Sequence, residues 1–265
     1  MLLSRVITAV VLAPLVIWLV LASPVIWFAV AVAAIFSLAV YEWAGMLGES
    51  VPVWRRAFYV LAFIGATALM YSYQAYFGEV LLVGCIVWGL AIVAVLTYPR
   101  GRPIITQTAL LLPLGIFLPV AAWVSLVSIK QLDQGSWWVL WVLILVWAAD
   151  IGAYFAGRFL GSHKLAPQVS PGKTWEGVGG GFVLAGLVCG AALIWWQGVS
   201  FFWLSLMLAL IGVSVFGDLF ESLIKRARGV KDSGSILPGH GGMLDRVDSL
   251  LAVLPVIGLA LTVEA

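Results

Sequence analysis

The sequence predicts an all-α, polytopic membrane protein of about nine transmembrane helices, its N-terminus cytoplasmic and its C-terminus outside. Three observations predict it. First, 63% of the 265 residues are hydrophobic and only 10% are charged, with a mean hydropathy of +1.12. A soluble domain of this size cannot hide that much apolar surface, because surface shrinks too slowly relative to mass. Second, the apolar residues form continuous runs close to the ~20 residues a helix needs to cross hydrocarbon. Unpaired backbone groups restrict spanning structures to helices and closed barrels, and these runs lack the alternation of barrel strands. Third, basic residues are one-sided. On a nine-span path that starts in the cytoplasm, every lysine and arginine except Lys130 falls on the cytoplasmic side, which is the asymmetry that sets orientation.

The nine spans are read at residues 5–22, 25–42, 57–76, 79–97, 105–128, 137–157, 176–196, 201–224 and 248–263. The first resembles a signal peptide, but its apolar stretch exceeds the usual ~7–15 residues and further spans follow, so it is read as retained. The fifth carries Pro113 and Pro119 and is expected to be kinked or broken. Trp137, Trp138, Trp195, Trp196 and Trp203 fall near span ends, where an interfacial belt is expected. Cys85 and Cys189 lie inside apolar runs and read as small core residues rather than a disulfide or zinc site. No internal repeat or low-complexity tail is visible. The chain reads as one integral membrane domain over 1–265, with 1–135 mainly scaffold and 136–265 the catalytic part.

Two long cytoplasmic loops break the apolar pattern, at 158–175 and 225–247. Long loops in compact proteins are often functional. Asp150, in the sixth span, is a carboxylate at membrane depth and hence a functional-site candidate. "GKT" at 172–174 is no P-loop: Pro167 stands where the first glycine is needed, and no strand-like run precedes it. Ser170, Lys173 and Thr174 still form a plausible phosphate cradle at the start of a helix. Glu176 follows, as a cap of that helix. In the eighth span Asp218, Glu221, Ser222 and Lys225 share one helical face. Beyond it lie Lys231, Asp232, the turn "PGHGG" containing His240, Gly241 and Gly242, then Asp245, Arg246 and Asp248.

Asp218 and Asp245, joined by Glu221, Asp248 and Asp150, are hard oxygen ligands suited to Mg²⁺. Lysines, arginines and glycine amides suit phosphates. Metal-binding carboxylates among cations are the means of phosphoryl or nucleotidyl transfer. His163 and His240 are the only histidines, and neither has zinc-site spacing. A net charge of +2 says little by itself, and no nucleic-acid partner is expected.

The stretch "SLIKRARGVKDSGSILPGHGGMLDRVD", residues 222–248, resembles the signature of the phosphatidate cytidylyltransferases. "SPGKTWEG" at 170–177 and "DIGAYFAGRFLG" at 150–161 are similar to the same family. The resemblance is strongest over 150–248. It implies a bacterial-type inner-membrane enzyme, with its active site facing the cytoplasm, that makes CDP-diacylglycerol from CTP and phosphatidic acid with Mg²⁺. It also implies a homodimer. A second divalent or a monovalent cation stays open. On this reading Asp218, Asp245, Lys225, Arg226, Lys231 and Arg246 are catalytic. Ser170, Lys173, Thr174, His240, Gly241 and Gly242 hold CTP phosphates. Two other readings use the same residues. A CTP-dependent lipid or polyprenol kinase would move the γ-phosphate instead. An ion-coupled transporter would explain intramembrane acids, but these acids lead into loops on one side.

Overall fold

The computed structural model describes residues 13–48, 50–100, 107–234, 236 and 241–264. The helices are α1 Ala13–Ala22, α2 Val25–Met46, α3 Val53–Ser72, α4 Phe77–Leu96, α5 Thr108–Gln131, α6 Gly135–Phe159, α7 Trp175–Gln197, α8 Phe201–Ala227 and α9 Leu244–Glu264. A 3₁₀ turn, Gln74–Tyr76, leads into α4. Among the described residues, eight helices, α2 to α9, are long and apolar enough to cross a membrane. The described part of the first expected span is the shorter apolar helix α1; residues 5–12 lie outside the described residues. The chain is a polytopic helical membrane protein.

Local chemistry sets the breaks. Pro24 and Pro52 stand just before α2 and α3 in extended backbone, since proline offers no N–H and disfavours a helical predecessor. Pro113 and Pro119, by contrast, lie inside α5, which runs on through both. Donors from neighbouring helices reach carbonyls in that stretch: Trp43 Nε1 bonds to Leu111 O at 3.0 Å, and the Tyr59 hydroxyl bonds to Leu112 O. These bonds tie α5 to α2 and α3 beside Pro113.

Helices α5 and α9 are the most buried spans, whereas α3 and α4 are mostly exposed. The last helix therefore runs through the middle of the molecule, packed against α8, α5, α4 and α2. The Ser125 hydroxyl of α5 bonds to Leu254 O of α9. Trp138 is not at a surface belt. It is buried among Trp141, Trp196 and Trp203, with ring centroids 5.8, 4.6 and 4.8 Å away. Trp137 and Trp195 are exposed, as a belt requires.

The closest packing is between α6 and α7. A Cβ on Gly152 would strike the Gly180 carbonyl, and one on Gly180 would strike Ala156. Small residues let helix backbones approach this closely. Between these helices the loop forms a hairpin, β1 Lys164–Ala166 and β2 Ser170–Thr174, with Lys164 opposite Thr174 and Ala166 opposite Ser170. The turn is closed by Val169 N–H to Ala166 O at 3.1 Å, with Pro167 at the position a β-turn favours. Both cysteines are free.

Candidate active site

The close approach of α6 and α7, together with α8 and the first turn of α9, encloses a cavity of about 700 Å³. Helix α6 lines it with Asp150, Tyr154 and Arg158, spaced by four so that they share one face. Strand β2 contributes Lys173 and Thr174. Helix α8 contributes Ser214, Asp218 and Lys225, and α9 contributes Asp245, Arg246, Asp248 and Ser249. Ala149, Val178 and Ile211 make its apolar walls.

Opposite charges are paired across elements. Lys173 Nζ lies 2.7 Å from Asp218 Oδ2 and also donates to Val215 O at 3.4 Å. The Ser222 hydroxyl donates to Asp218 Oδ1 at 3.2 Å. Lys225 Nζ sits 2.6 Å from Asp245 Oδ1 and 3.2 Å from Glu221 Oε2. All three of those side chains are at most 10% exposed. Asp245 also accepts N–H bonds from Gly242 at 2.8 Å and Ser233 at 3.2 Å. Glu221 is differently placed. Its carboxyl group faces that of Asp248. Beyond Lys225 and Asp248, neither Glu221 oxygen has a polar partner among the described residues.

Most of the sequence-predicted residues meet in this cavity: Asp150, Lys173, Thr174, Asp218, Lys225, Asp245, Arg246 and Asp248. Thr174 also caps α7, accepting Gly177 N–H at 3.1 Å. Ser170 pairs with Ala166 in the hairpin, and Gly242 gives its N–H to Asp245. Arg226 and Lys231 are exposed, and Arg226 donates to Val230 O at 3.3 Å. Ser170, Glu221, Arg226, Lys231, Gly241 and Gly242 do not line the cavity. His240 lies outside the described residues. Glu176 lies in the first turn of α7, as an acid at a helix N-terminus should. It also accepts from the Ser162 hydroxyl at 2.8 Å and contacts His163 Nδ1 at 2.6 Å, tying the hairpin's approach to the helix.

Sequence reading missed three residues. Tyr154 and Arg158 sit in a quoted stretch, and the Arg158 guanidinium donates to the Tyr154 hydroxyl at 2.6 Å. Their four-residue spacing from Asp150 was the available signal. The third is Glu42, buried in α2. Its Oε2 accepts Leu244 N–H at 2.8 Å and the Ser233 hydroxyl at 3.3 Å.

No group of three or more His, Cys, Asp or Glu among the described residues is clustered as a metal site. The chemistry of the donor set nevertheless suits a hard cation. The carboxylates of Asp150, Asp218, Asp245 and Asp248 all line the cavity, hard oxygen donors of the kind Mg²⁺ takes.

Fold and cavity together define an integral membrane protein with a mixed-charge pocket fit for phosphates and a cation. The model of the cytidylyltransferase family matches residues 3–263. A protein of Pseudomonas aeruginosa named phosphatidate cytidylyltransferase is 42% identical over 267 residues, covering 98% of this chain and 97% of the relative. A Haemophilus influenzae protein of the same name is 37% identical over 281 residues, covering 96% of each chain. One from Bacillus subtilis is 46% identical over 133 residues, 49% of each. The chain belongs to the cytidylyltransferase family.

Proposed function

We propose that this chain is a phosphatidate cytidylyltransferase, transferring CMP from CTP to phosphatidic acid to give CDP-diacylglycerol and pyrophosphate. The observation that carries the reading is the cavity of paired lysines and carboxylates, set among membrane-spanning helices, in a chain that matches named relatives end to end. In the reaction an oxygen of the lipid phosphate attacks the α-phosphorus of CTP. The bond from that phosphorus to the bridging oxygen breaks, and pyrophosphate leaves. The attacking oxygen is already anionic, so no general base is required. The work is to bring two polyanions together and stabilise charge on the departing group.

The pairs across the cavity serve that work. Lys173 and Lys225 would turn from Asp218 and Asp245 towards phosphate oxygens, and the carboxylates would turn towards Mg²⁺. Asp218, Asp245 and Asp248 would hold the cation, with Glu221 adjusting the site and Asp150 also on the cavity wall. Bound there, Mg²⁺ would neutralise phosphate charge and polarise the α-phosphoryl group. Arg158 and Arg246 are further cations on the wall. Asp245, held by two backbone N–H groups and Lys225, would organise the loop as well as bias Lys225.

The charge asymmetry supports a cytoplasmic opening, where CTP arrives from water and phosphatidic acid from the bilayer. The bacterial relatives support the inner membrane; a homodimer is what the sequence resemblance implies. In detergent with phosphatidic acid and Mg²⁺, the purified protein should release pyrophosphate only when CTP and lipid are both present. CTP hydrolysis without lipid, or no pyrophosphate from folded protein, would remove the reading.

A further inference from the structure

We infer that Glu42 is a positioning residue: from the scaffold side of the molecule it fixes the start of α9, and with it Asp245, Arg246 and Asp248. Glu42 is 3% exposed, and among the described residues no lysine or arginine pairs with it. Its contacts lie instead on the charged loop. Oε2 accepts the N–H of Leu244, first residue of α9, 202 positions away in sequence. That N–H is one of the donors a helix start leaves unsatisfied, and a carboxylate there also meets the positive end of the helix dipole. The same oxygen accepts the Ser233 hydroxyl.

Asp245 grips the same two places from the other side, taking Ser233 N–H and Gly242 N–H. Two carboxylates therefore clamp both ends of the loop. A Cβ on Gly234 or Gly242 would run into the Glu42 carboxyl group, so the loop backbone lies directly on it. Helix α9 leaves the clamp with Asp245, Arg246 and Asp248 as its second, third and fifth residues. Any slip of its first turn moves all three within the cavity. Displacements of about 1 Å in a reacting site can cost about 100-fold in rate.

The activity test rests on the cytidylyltransferase reading, so it is paired with one that does not. In Glu42→Ala, kcat should fall about 10- to 100-fold. Glu42→Gln keeps a carbonyl oxygen for Leu244 N–H and the Ser233 hydroxyl, and should retain at least about a third of kcat on the same reasoning. Independently of activity, trypsin should cut after the exposed Lys231 several-fold faster in Glu42→Ala than in wild type or Glu42→Gln. If Glu42→Ala does not fold, Ser233→Ala removes one bond to Glu42 and leaves the backbone bond to Asp245. It should lower kcat about three- to tenfold at unchanged thermal stability. Wild-type kcat and wild-type cleavage in Glu42→Ala, or wild-type kcat in Ser233→Ala, would overturn the inference. So would a Glu42→Gln as inactive as Glu42→Ala with cleavage unchanged, since the charge would then act on the reaction itself. Wild-type protein without transfer activity would sink the functional reading instead, and the cleavage rates would still decide the role of Glu42.

Discussion

Replacing Lys225 by methionine should cost this protein about 3–5 kcal/mol, the usual cost of removing one partner from a buried ion pair. The lysine is buried and serves two carboxylates, at 2.6 Å on Asp245 and 3.2 Å on Glu221. The two are not left equally exposed to its loss. Asp245 keeps the N–H groups of Ser233 and Gly242, whereas Glu221 would keep only the neighbouring Asp248 carboxyl group, itself acidic. Most of the penalty therefore belongs to Glu221. Adding Glu221→Gln to Lys225→Met should recover more than half of the loss; adding Asp245→Asn should not. At about 2–4 °C per kcal/mol for chains near this size, the single variant should melt roughly 6–20 °C lower. Reaction of buried Cys189 with a fluorogenic thiol probe on heating in detergent would follow unfolding, at one fixed scan rate because such transitions are often irreversible. A midpoint within 2 °C of wild type, or a coupling between positions 225 and 221 below about 0.5 kcal/mol, would refute the reasoning.

Other predictions follow from the same geometry. Asp248→Asn and Glu221→Gln should raise the Mg²⁺ concentration for half-maximal turnover at least about tenfold, as loss of a charged ligand or its neighbour does; a Mg²⁺ titration checks this. Lys173→Met should raise KM for CTP more than KM for phosphatidic acid, since its ammonium reaches the cavity from the hairpin; steady-state kinetics separate the two. Gly180→Val should lower the melting midpoint by the equivalent of about 1–3 kcal/mol, because its side chain would be driven into Gly152 and Ala156 of α6. Cysteine placed at exposed Lys164 should react with an impermeant thiol reagent only from the cytoplasmic side, as the positive-inside count requires.

The spans were legible because a membrane demands length and continuous apolarity, and both are written locally. Their ends were less so, and one end mattered. Ending the second span at residue 42 put Glu42 at a boundary, where an acid is unremarkable. The helix runs on to Met46, and an acid inside it would have been a functional candidate at once. The hairpin was illegible: strands of three and five residues built of Lys, Ser, Pro and Gly carry no alternating pattern to read. Trp138 shows the limit of compositional rules, since a tryptophan near a span end can as well pack into its neighbours. The site carboxylates were legible because charge within apolar helices is costly and therefore conspicuous. Their partners were not. Lys173 meets Asp218, and Glu42 meets Leu244, through helix packing that no local pattern encodes.

The central claim is best tested with CTP labelled separately at the α- and γ-phosphates, supplied to purified protein with phosphatidic acid and Mg²⁺. α-Label should enter the lipid and γ-label should leave as pyrophosphate. Appearance of γ-label in the lipid would contradict it, and would make the cavity that of a CTP-dependent lipid kinase.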